Sequence, residues 1–121
     1  MSEGIGIYEG SQEINSLEAF NNRPCGKHYL DEGYKEPTPE EVKALLTLSG
    51  LNKKDWAMLL GVTYNDKRGS TTLRKWTMNK EASDYRQISY SVWRLMLIYS
   101  GVVKPEQDVV FVNNKGVRKG V

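Results

Sequence analysis

Hydrophobic and polar positions change rhythm along the chain. From Thr38 the apolar residues fall on a helical period. Val42, Leu45 and Leu46, with Leu48 less regular, form one stripe. Thr38 suits an N-cap, Pro39 the first helical position and Glu41 the third, and Gly50 supplies a stop. Asn52-Lys53-Lys54-Asp55 opens a second helix with Asn52 as its cap. Trp56, Leu59 and Leu60 make its apolar face, and Gly61 closes it. Thr63 to Gly69 is polar, rich in turn formers and aperiodic, so it reads as an exposed loop. Ser70 caps a third helix through Leu73 and Trp76, and Met78 to Gln87 is irregular. Ile88-Ser89 forms a staple and cap for a last helix carrying Val92, Trp93, Leu95, Met96, Leu97 and Tyr99 up to Gly101.

The two ends are patterned more weakly. Residues 1–37 are punctuated by glycine and by Asn21-Asn22 and Arg23-Pro24, and read as a weakly structured extension. A short helix is expected over about Ser11 to Phe20, with Ile14, Leu17 and Phe20 three apart. Lys35 to Pro39 reads as a linker, since each proline pushes its predecessor out of helical geometry. In residues 104–121, Val109 to Val112 looks like a short strand.

Charge divides along the same boundaries. Residues 1–37 hold three basic side chains against seven acidic, residues 38–104 eleven against six, and the remainder three against two. The positive segment is the central one, where phosphate contact would require it. No apolar run approaches the roughly 20 residues of a membrane span. The acidic N-terminus lacks the basic start of a signal peptide, and the expectation is a cytoplasmic protein without a membrane role. The chain has one cysteine and one histidine, Cys25 and His28. A structural zinc needs about four ligands, so no metal or cofactor is expected. Nothing orients that pair as nucleophile and base, and the chain is not read as an enzyme.

Two helices meeting at Ala57, Gly61 and Val62, followed by a helix ending in Leu73 and Trp76, form a pattern that resembles the lambda-repressor, Cro and XRE family. Thr38-Pro-Glu-Glu-Val-Lys-Ala-Leu is similar to that family's first helix, and Leu51 to Val62 to its second helix and turn. Leu73-Arg-Lys-Trp resembles the end of the recognition helix, and Ile88 to Leu97 the closing helix. Two departures stand out. Lys53 replaces a phosphate-binding glutamine, and the interval from Val62 to Trp76 is lengthened around Thr63 to Arg68.

The resemblance implies an all-α, four- to five-helix helix-turn-helix domain over 38–103, with N- and C-terminal extensions. It implies a sequence-specific regulator, a repressor or autoregulator, acting as a homodimer on double-stranded DNA. A helix at about 70–77 would enter the major groove. Ser70, Thr71 and Arg74 fall where the family contacts bases, Thr72 joins the DNA-binding set beside them, and Lys53, Lys67, Arg68 and Lys75 are placed for the backbone or groove edge. The competing expectation is a protein-interaction module on the same scaffold, such as an antitoxin, an adaptor, or a replication or transposition accessory.

Overall fold

A computed structural model of the chain describes residues 14–114. These residues are helical: α1 (Pro39–Leu48), α2 (Lys53–Leu60), α3 (Thr71–Trp76), α4 (Tyr90–Tyr99) and α5 (Pro105–Asn114), preceded by 3-10 turns at Leu17–Asn22 and Pro24–Gly26. The helix starts lie where the capping residues placed them. Thr38 and Glu41 form a reciprocal box, with Glu41 N–H donating to Thr38 Oγ1 at 3.1 Å and Thr38 N–H to Glu41 Oε1 at 2.9 Å. Asn52, Ser70 and Ser89 accept from Asp55, Leu73 and Val92 N–H respectively.

The core gathers inward faces from α1 to α4. Trp56, Trp93, Leu45, Leu73, Met96 and Leu97 are buried at its centre, and α2 packs against α4. All three tryptophans are structural. The indole N–H of Trp56 donates to Ser49 Oγ at 2.9 Å, and that of Trp93 to the Cys25 carbonyl at 2.9 Å. Leu59 departs from expectation. It lies outward with Met58, at 42% and 69% exposure, because Trp56 and Ala57 already fill the space facing the core.

Gly61 also plays a different part from the one its spacing indicates. A Cβ placed there would meet nothing within 4 Å, so no close helix approach demands a glycine. Its φ of +74° does, because Gly61 takes the left-handed position after α2 and lets Val62 N–H reach back to the Ala57 carbonyl at 2.9 Å. A Cβ in that conformation costs roughly 1–2 kcal/mol.

The ends differ from expectation. Within residues 14–37 the extension is part of the core rather than weakly structured. Phe20 is fully buried, edge-on to Trp93 at 5.9 Å, and Arg23 pairs with Glu41 at 2.7 Å with both side chains buried. The short helix expected here is a 3-10 helix at Leu17–Asn22, which suits apolar residues three apart because such a helix has about three residues per turn. Of the expected Ser11–Phe20 helix, Ser11 to Glu13 lie outside the described residues. The linker prolines are enclosed as well, Pro37 and Pro39 both being buried.

The strand at Val109–Val112 is instead part of α5. Pro105 sits at its first position, and Gln107 Oε1 accepts the Lys104 N–H at 2.8 Å, one half of a capping box. A lone strand would leave its backbone groups unpaired, whereas a helix satisfies its own.

Candidate nucleic-acid interface

The candidate interface begins at the end of α2. Thr63 to Gly69 is exposed or half-buried, but it is more ordered than a plain polar loop. Asn65 and Gly69 exchange backbone hydrogen bonds of 2.9 and 2.7 Å, closing a miniature hairpin. The Asn65 side chain supports its tip, with Oδ1 accepting from Lys67 N–H at 2.8 Å and Arg68 N–H at 3.0 Å. Gly69 has the positive φ that returns the chain to α3. The side chains of Asp66, Lys67 and Arg68 are exposed at this tip. Asp66 lies 3.6 Å from Lys54 Nζ on α2. Both partners are solvated, so the pair contributes at most about 1 kcal/mol; its effect is to draw the tip's one acid toward α2.

In α3, Leu73 and Trp76 are buried and set the rotation of the helix. Thr71 and Arg74, one turn apart, are exposed as a result, with Thr72 and Lys75 half-buried beside them. Among the described residues no carboxylate is paired with Arg74. Ser70 leaves the expected contact set: it is buried, and its hydroxyl caps α3. Lys53 is exposed at the first residue of α2.

Two basic residues join this region without having been singled out by sequence. Lys54 was legible as the neighbour of Lys53, whereas Arg86 had no local signal. The irregular segment after α3 turns back so that Arg86 N–H donates to the Lys75 carbonyl at 3.2 Å, bringing an exposed arginine to the end of the helix. Conversely, Arg94 counts toward the positive charge of the central segment but is buried and bound to Asp108 at 2.7 Å. Its charge is spent inside the protein.

No protein-family model, curated protein or solved structure matches this chain.

Chemically, the outward side of α3 and the hairpin tip present donors: a guanidinium fork at Arg74, a hydroxyl at Thr71 and the cations of Lys67, Arg68 and Lys75. Such a set suits an anionic surface bearing acceptor groups. Cys25 and His28 offer a different environment. Burial, reinforced by the neighbouring Glu41 carboxylate, pushes the Cys25 thiol far above its ordinary value and keeps it protonated at neutral pH. Among the described residues no group of acids, histidine and cysteine is arranged to hold a metal ion. Nor is any helix there long and apolar enough to cross a membrane.

Proposed function

We propose that the chain is a sequence-specific DNA-binding regulator of the lambda-repressor-like helix-turn-helix kind, cytoplasmic and working as a homodimer on a palindromic operator. The observation that carries this reading is the outward side of α3, where Thr71 and Arg74 stand one turn apart directly after a basic hairpin tip. In this reading α3 enters the major groove, Arg74 and Thr71 meet base edges, and Lys53, Lys67, Arg68 and Lys75 meet phosphates. A single such module buries little area on DNA, and two half-sites are the usual route to tight binding. Val109 and Val110, exposed on α5, are the apolar positions the dimer reading favours.

Selection from a random duplex pool tests it. Enrichment of a palindromic sequence supports both DNA binding and dimerisation; a pool that stays random removes the reading. The hairpin adds a second expected result. Lys67→Ala with Arg68→Ala should lower the slope of log affinity against log salt by about one to two units. Thermal stability should stay within about 0.5 kcal/mol, as exposed substitutions usually do. Parallel salt slopes for the two proteins would turn the hairpin away from DNA.

Met58 and Leu59 favour a second reading, a protein-interaction module. With Leu51 and Asp55 they line a shallow groove on the outer side of α2. An unenriched duplex pool together with a stable protein partner lost on Met58→Ser would replace the first reading by this one.

A further inference from the structure

No residue of α5 is buried, and two of the contacts that join it to the body of the protein centre on Arg94 and His28. Arg94 of α4 makes one of them. Its guanidinium donates to Asp108 through Nη2 at 2.7 Å and Nε at 3.1 Å, and through Nη1 to the Gly26 carbonyl at 2.9 Å. Beside it lies His28, a buried residue whose ring stacks on Phe111 of α5 at 4.9 Å and on Tyr29 at 5.0 Å, with Tyr90 edge-on at 5.7 Å. Its Nδ1 accepts the Leu30 N–H at 3.1 Å. Accepting there requires a free lone pair, so the docked form holds the neutral imidazole with its proton on Nε2.

We infer that His28 is an acid-sensitive latch, and that a second proton, taken at Nδ1, opens its stack on Phe111 and loosens the C-terminal half of α5, while Arg94 keeps its hold on Asp108 in the first half. Protonation turns Nδ1 from acceptor to donor, facing the Leu30 N–H, which is also a donor. It also places a charge on a ring that burial shields from water.

The groups around the ring act in both directions. Arg94 opposes the imidazolium, whereas Asp108 and Asp31 favour it. Asp108 is already engaged by two hydrogen bonds from Arg94, which blunts its pull. Tyr34 and Tyr90 stay neutral because burial pushes both phenols upward, Tyr34 to about 12. Burial dominates and lowers the His28 value from 6.5. The docked form therefore binds fewer protons than the loosened one. Docking is at full strength above pH 6.5 and weakens as the pH falls from there toward the lowered value.

The chain's single histidine gives an unambiguous ring-proton resonance. Its titration, followed by NMR from pH 8 to 5 together with the backbone shifts of α5, tests the latch. His28 should titrate below 6.5. The Cα shifts of residues 109–113 should move along the same curve, with the indole resonances of Trp56 and Trp93 unmoved. His28→Phe keeps an aromatic ring without a titrating nitrogen, and α5 should stay docked in it at pH 5. The proposal is overturned by a titration at or above 6.5, by unchanged α5 shifts down to pH 5, or by loosening in His28→Phe at the same pH as in the parent. If His28→Phe does not fold, the two curves of the parent protein decide.

Discussion

Arg23→Leu is expected to destabilise the protein by about 3–5 kcal/mol, the usual consequence of removing one partner of a buried ion pair. The Glu41 carboxylate is almost wholly enclosed. One oxygen accepts the Thr38 N–H of the α1 cap, and the other meets Arg23 Nε at 2.7 Å. Leucine fills much of the space but leaves that second oxygen facing apolar surroundings and the Cys25 thiol. Urea unfolding followed by tryptophan fluorescence measures the change, because Trp93 lies against Phe20 and bonds the Cys25 carbonyl. Arg23→Leu combined with Glu41→Gln should recover part of the loss, since both charges of the pair are then gone and the cap acceptor is kept. A loss under about 1 kcal/mol, the range of solvated pairs, would mean that the N-terminal segment does not close over α1.

Arg74→Ala should weaken binding to the selected operator by about 1–3 kcal/mol while leaving random duplex DNA nearly unaffected, if its fork bonds a guanine edge. The side chain is exposed at the end of a short helix whose rotation Leu73 and Trp76 set, so its removal should not disturb the core. Titrations of the operator and of a scrambled duplex at one salt concentration separate the outcomes. Equal losses on both would make Arg74 a phosphate contact. No loss on either would take α3 off the DNA, and with it the central claim of the proposed function.

The expected and observed elements differ according to how local their causes are. Capping pairs and helical stripes depend on residues three and four apart, so α1, α2, α3 and α4 were legible as written. The positive segment and the exposed Arg74 were legible too, because a buried Leu73 and Trp76 leave few directions for the residues between them. Ser70 was misread because its cap is buried, unlike the exposed caps at Asn52 and Ser89, and burial of a helix start leaves no local signal. Arg94 was miscounted as surface charge because its partner, Asp108, lies in another helix.

Local pattern was enough to place the helices of residues 38–103 and most of their inward faces, Leu59 being turned outward against it. These follow from backbone hydrogen bonding and from apolar periodicity within a few residues. The ends were settled by long-range packing. Glycine and proline make residues 14–37 look loose, yet Phe20, Arg23 and the Cys25 carbonyl find their partners in α1 and α4, a separation that no local pattern encodes. Val109 to Val112 has strand propensity, but with no strand beside it among the described residues the backbone closes on itself as a helix. Propensity is worth at most about 1 kcal/mol per residue, and unpaired backbone groups cost more, so available partners override it.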